Sequence, residues 1–341
     1  MKHWIAFPLM VGLLGAGCGD DGGGGGGTDA GRDAPATADG GDGGGGDGDG
    51  DGGTDGSAPV DCAPLRAVVP NPDGLQDGPC CHRKDNSTDP DNAELRLTAL
   101  RLERPASLAN PLIAQLLRNA FTKETFNWLV ALEAGDGGAT MVRTGYGVRA
   151  DDGTFRFAEG DAPSPGDANR WDPVSVEATF TGETFSTAAL NQVLTVPILT
   201  EDGMDVQLEL PLLGLELQSV TLSEGRSCIG RFASSLWDVS QARIRAFVRM
   251  EDAKQGEVDL GGRTASLCNV LAGRLTAMDN CENDRPMWGS KPDSLCDDSG
   301  CRADPGDGSV CDPDSDCNAW LLEGGAAAHG VEITNHPLAS M

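Results

Sequence analysis

The chain has 341 residues, with 25 Lys+Arg against 53 Asp+Glu for a net charge of −28, 39% hydrophobic and 5% aromatic residues, 48 Gly and 11 Cys. That balance excludes a protein crossing a membrane many times. It also excludes a nucleic-acid partner held on a basic face, since phosphate recognition needs clustered Lys and Arg.

The acidity is concentrated in two places. Residues 19–61 hold 11 Asp against Arg32 alone, and residues 279–317 hold 11 acids against Arg285, Lys291 and Arg302. At the start, Lys2 precedes an apolar run of 14 residues over 4–17. A membrane span needs about 20 apolar residues, so residues 1–17 read as a signal peptide. The run ends Leu14-Gly15-Ala16-Gly17-Cys18, which resembles the lipobox of bacterial lipoproteins. The resemblance implies cleavage before Cys18, acylation of its sulfur, and a membrane as partner through that N-terminal lipid.

Residues 18–59 then carry Gly and Asp with almost nothing apolar to bury, so they cannot recover the entropy of ordering and are expected to form a disordered tether. A flexible chain of about 41 residues spans roughly 35 Å on average. A lipobox followed by such a tether is similar to surface lipoproteins of large-genome Gram-negative bacteria such as myxobacteria. The implied location is the cell envelope, on the outer membrane or the surface.

Beyond Cys18 ten cysteines remain: Cys62, Cys80, Cys81, Cys228, Cys268, Cys281, Cys296, Cys301, Cys311 and Cys317. An even number in an exported chain predicts disulfides. Cys62 is expected to pair with Cys80 or Cys81, and the segment 279–317 to close mostly on itself.

Residues 60–278 read as a β-rich domain and 279–341 as a cysteine-rich acidic segment packed on it. Phe126, Trp128, Val130 and Leu132 alternate, with Leu129 and Ala131 apolar between them, which predicts a strand buried on both faces. Val142 to Val148, then Asp151-Asp152-Gly153, then Phe155 and Phe157 form a hairpin signal. Alternation returns at Val174 to Phe180 and at Met204 to Leu210, with a turn expected at Glu201-Asp202-Gly203. One helix is plain over residues 111–121: Asn110 caps it, Pro111 opens it, and Leu112, Ile113, Leu116, Leu117 and Ala120 form its apolar stripe. A second helix is expected over 265–272. Residues 95–102 and 215–222 share one pattern in which alternation breaks once mid-strand, the mark of a β-bulge. The fold class is mainly β, a sandwich with one packed helix and a disulfide-rich C-terminal appendage.

Candidate chemistry is sparse. Cys80-Cys81-His82 could ligate a metal, but adjacent cysteines suit two disulfides leaving in different directions better than one tetrahedron. Asp298-Ser299-Gly300 resembles the nucleophile turn of chymotrypsin-like proteases only over those residues, with no base in view. Asp312, Asp314, Asp316 and Glu323 fall at positions 1, 3, 5 and 12 of a twelve-residue stretch that resembles an EF-hand or dockerin calcium loop, although Cys317 holds the place of its Gly. Calcium is therefore the one cofactor to test, against a solvated loop with Asn318 capping a short helix. Arg243, Arg245 and Arg249 share one face of a strand over 242–250, a candidate seat for an anionic head group or else a stripe paired across strands. These observations point to a non-enzymatic, lipid-anchored envelope protein that binds an unidentified envelope or extracellular ligand or serves as a structural module. Alternatives are a secreted hydrolase or carbohydrate-active domain, signalled by two facing carboxyls about 5–9 Å apart, and a lipid-binding β-fold.

Overall fold

The computed structural model describes residues 61–336 apart from 69–73, 77–79, 136–138, 163–168, 201–204, 234–235, 260–262, 276, 278–279 and 282–284. The signal peptide, Cys18, the tether and the expected turn at 201–203 lie outside the described residues.

The chain folds as an antiparallel β protein. Strand β1 (Glu94–Arg104) is followed by β2 (Trp128–Ala134), β3 (Thr140–Arg149), β4 (Phe155–Phe157), β5 (Val174–Thr181) and β6 (Thr184–Thr187). Next come β7 (Leu194–Leu199), β8 (Val206–Gln218), β9 (Val220–Thr221), β10 (Cys228–Ile229), β11 (Phe232–Ala233) and β12 (Leu236–Trp237). The last six are β13 (Arg243–Arg249), β14 (Glu257–Asp259), β15 (Thr264–Ser266), β16 (Ser294–Asp297), β17 (Gly300–Ala303) and β18 (Ala319–Gly330). The α-helices are α1 (Ala63–Arg66), α2 (Pro111–Thr122), α3 (Met250–Gln255) and α4 (Leu267–Leu271). Among the described residues no helix is long and apolar enough to cross a membrane.

The two faces expected of a sandwich come from one sheet that curls until its ends meet. In hydrogen-bonded order it runs β8, β13, β18, β1, β2, β3, β5, β6, β9. β9 continues β8 across Ser219, whose φ of 50° turns the chain, so the pairing of Thr184 with Thr221 closes the ring. Inside it sit Leu97, Trp128, Val142, Leu215, Ile244 and Trp320. Because side chains alternate, Leu129 and Ala131 of β2 point the other way and join Phe155, Phe157, Val331 and Ile333 in a second cluster, so this strand is buried on both faces as its sequence predicts.

The segment after residue 279 contributes more than an appendage: β18 lies at the centre of the sheet, between β1 and β13. Its glycines allow outer segments to cross it closely, since a Cβ on Gly330 would meet the Lys84 carbonyl and one on Gly325 the Val239 carbonyl. The two segments of shared pattern, residues 95–102 and 215–222, are extended, and the eight alternating Leu and Val positions that define the pattern are all buried. They are not neighbours, because β13 and β18 stand between them. The expected helix at 265–272 is shorter: residues 264–266 pair with β14 as a strand, and the helix starts only at Leu267, where the Ser266 side chain accepts from Asn269 N–H. The stretch after Asn318 is strand, not helix, because its Ala and Leu side chains fill the sheet's core.

Candidate functional site

The site arises where the ring is weakest. β1 pairs with β18 from Leu95 to Arg104, with a register shift between Leu97 and Ala99, yet it pairs with β2 only over Glu94, Leu95 and Arg96. Beyond Arg96 the two strands part, and α2 fills the breach. The helix begins there because the Asn110 side chain accepts from the N–H groups of Leu112 at 2.9 Å and Ile113 at 3.1 Å, two of the donors a helix start leaves unpaired. Ile113, Leu117, Ala120 and Phe121 are buried against the ring, while Leu112 stays 57% exposed. Burying such a large apolar side chain contributes about 1.5–3 kcal/mol.

Between α2 and β1 lies a cleft of about 510 Å³, within the usual size of a small-ligand site. One wall is β1, in the unbroken run Thr98 to Leu102. The second is the face of α2 carrying Ala114, Leu117, Arg118, Phe121 and Thr122. The third is formed by Leu65 and Val68 with the β11–β12 hairpin, through Phe232, Leu236 and Trp237. Val68 and Leu236 are exposed at the rim, at 37% and 56%. Among the described residues the lining holds no carboxylate, imidazole or thiol. Its cations are Arg96 at the base and the exposed Arg101 and Arg118 at the mouth, where Glu103 stands 3.6 Å from Arg101.

The base of the cleft is braced by a buried ion network. Arg96, 1% exposed, donates to Asn127 Oδ1 at 2.7 Å and to the Phe121 carbonyl at 2.9 Å, and lies 3.8 Å from Glu124. The same Glu124 carboxylate meets Arg83 at 2.7 Å and also Arg149. Burial pulls the Arg96 guanidinium down to about 10 while Glu124 holds it up, so it is cationic at neutral pH. Beside it His329 is fully buried. Desolvation first, then Arg83 and Arg96, hold its imidazole well below the usual histidine range, so it is neutral. Glu94 forms a second buried centre, accepting from the Ile333 N–H at 2.8 Å and meeting Lys84 at 2.5 Å and His336 at 3.0 Å.

All ten cysteines of the folded part are paired: Cys62 with Cys81, Cys80 with Cys228, Cys268 with Cys281, Cys296 with Cys301, and Cys311 with Cys317. Adjacent Cys80 and Cys81 do leave in different directions. Cys80, His82 and Cys228 come together, but both sulfurs are consumed in a disulfide, and His82 Nδ1 faces the Cys80 carbonyl at 2.9 Å.

The three aspartates and Glu323 do not converge as a calcium cage; their ligand atoms form no cluster within 4.8 Å. Arg285 spans the loop instead, donating to the carbonyls of Pro313, Ser315 and Cys317, and Asp314 pairs with Lys291 at 2.6 Å. Glu323 lies on β18 between Arg104 and Arg245, at 3.8 and 3.7 Å. Asn318 caps no helix; its side chain exchanges hydrogen bonds with the Cys296 backbone. The arginine stripe of β13 is paired throughout: Arg243 with Glu103 at 2.8 Å, Arg245 with Glu216 and Glu323 at 3.7 Å each, and Arg249 with Asp252 at 2.7 Å and Glu251 at 2.8 Å. Ser299 sits in the β16–β17 turn, its hydroxyl held by Asp297. Hydrogen bonds from Ser299, helped by Arg302, keep the Asp297 carboxyl below the usual range, the wrong direction for a general acid.

Compared with known proteins, the chain matches no family model, no curated protein and no solved structure. The cleft is not apparent from the sequence. Arg96, Thr98 and Arg101 interrupt the apolar alternation of β1, and Ala114, Arg118 and Thr122 lie beside the stripe of α2; that second, smaller face was the available signal.

Proposed function

We propose that this is a lipid-anchored envelope protein acting as a non-enzymatic binding module, with the cleft between β1 and α2 as its ligand seat. The observation that carries the reading is the lining: a concave, mostly apolar cleft of about 510 Å³ with aromatic walls, arginines at its mouth, and no carboxylate, imidazole or thiol among its described residues. Export is supported by the five disulfides, which an oxidising compartment sustains. Anchoring is supported by the apolar run ending at Cys18.

The probe for the cleft is 8-anilinonaphthalene-1-sulfonate, an apolar anion matched to apolar walls and a cationic mouth. It binds at one saturable site, and Ala114→Phe, which fills the cleft from an exposed helical position without touching the core, weakens it at least tenfold while leaving the circular dichroism unchanged. Equal binding by the variant overturns the assignment. The anchor is checked separately by intact mass of the mature protein: a diacylglyceryl-modified Cys18 as first residue is expected, and recovery with Met1 present refutes it.

A further inference from the structure

We infer that the occupant of the cleft is an extended polypeptide segment that adds to the free edge of β1 as one more strand. The inference rests on the reading of the cleft as the ligand seat and names what that seat takes. Its ground is how β1 meets the cleft. Side chains of a strand point alternately to opposite faces, so a surface lying over one face touches every second residue. This cleft touches five consecutive residues, Thr98 to Leu102, and therefore meets the strand edge-on, where alternate N–H and C=O groups point outward.

That edge is open. β18 pairs with the other side of β1, β2 stops at Arg96, and among the described residues no other strand is hydrogen-bonded to it. Backbone groups facing an apolar cleft without partners carry a desolvation cost, which an acyl chain or other apolar molecule would raise and a second extended backbone removes. The Thr98 hydroxyl oxygen, buried and without a hydrogen-bond partner, gives the same signal from a side chain. α2 on one side and the β11–β12 hairpin on the other recess the edge, so an intact sheet cannot dock there, whereas a single extended chain can. Leu117, Phe121, Phe232 and Trp237 offer apolar seats for alternate side chains of that chain. Arg118, exposed at the mouth, suits a carboxylate at its end.

The test uses the full mature protein and the peptide acetyl-Val-Thr-Val-Thr-Val-Asp, beside two analogues in which one or the other alternate set of amide nitrogens is methylated. Methylation removes donors and blocks strand pairing while keeping the peptide apolar. The parent peptide is expected to displace the naphthalene-sulfonate probe, to slow hydrogen exchange at amides in residues 98–102, and to lose affinity at least tenfold in one methylated analogue and in Ala114→Phe. Equal binding of all three peptides, or probe binding with no peptide protection of these amides, overturns strand addition and leaves a seat for small apolar molecules. If neither probe nor peptide binds, the reading of the cleft itself fails.

Discussion

Asp304 shows how one residue organises a stretch that has no core of its own. Its carboxylate accepts from the N–H groups of Gly306 at 2.7 Å, Val310 at 2.8 Å, Gly308 at 3.1 Å and Cys311 at 3.4 Å, and the side chain is almost wholly buried. Those donors, Val310 foremost, hold its carboxyl at about 2, below the range of an unfolded aspartate near 3.9. A carboxyl depressed in the folded state contributes stability that is complete above the unfolded value and is lost as pH falls through the folded one. The loop 304–311 is therefore expected to open between about pH 4 and pH 2. In hydrogen exchange, the amides of Gly306 and Val310 lose protection across that window in the parent. In Asp304→Asn they exchange faster at neutral pH and show no such acid step. A parent whose protection is flat down to pH 2 contradicts the assignment.

At the scale of elements, α2 links packing to the cleft, because the same helix buries Ile113 and Phe121 inward and presents Ala114 and Arg118 outward. Its cap is the handle. Replacing Asn110 by Ala strands two N–H groups and costs about 1 kcal/mol. Chemical denaturation should show that loss, and binding of the naphthalene-sulfonate probe should weaken with it as the helix start frays. A stability loss with unchanged binding would mean that this helix does not shape the seat.

How far the sequence reveals these elements depends on how local their cause is. The cap and stripe of α2, the hairpin turn at Gly153, whose φ is 88°, and the broken alternation of β1 are legible because neighbours in the chain decide them. The shortening of the helix at 265–272 is not legible, since residues 264–266 are claimed by β14. The cleft is less legible still. It exists because pairing between β1 and β2 stops after Arg96, a matter of register between segments about thirty residues apart, and the polar residues Arg96, Thr98 and Arg101 are only a faint local trace of it.

For the molecule as a whole, the disulfides divide into long and short ties, and the chain-entropy argument ranks them. Cys80–Cys228 joins residues 148 apart in sequence, whereas Cys296–Cys301 joins residues 5 apart. Restricting the unfolded chain scales with the logarithm of loop length, giving about 5 kcal/mol for the long tie and about 2 kcal/mol for the short one. The long tie also has a structural task. It fastens the segment before β1 to β10, which pairs with β18 at His329, and in that segment Leu65 packs with Phe232 to make one wall of the cleft. Replacing both members of a pair by Ser avoids leaving a lone thiol. The Cys80/Cys228 double variant should lose the most stability in guanidinium unfolding and bind the naphthalene-sulfonate probe more weakly. The Cys296/Cys301 variant should lose less and bind normally, because its bridge closes the β16–β17 turn and packs with Phe247 and Leu321, none of which line the cleft. The reverse order would mean that native-state contacts around the short bridge, rather than restriction of the unfolded chain, set the stability of this protein.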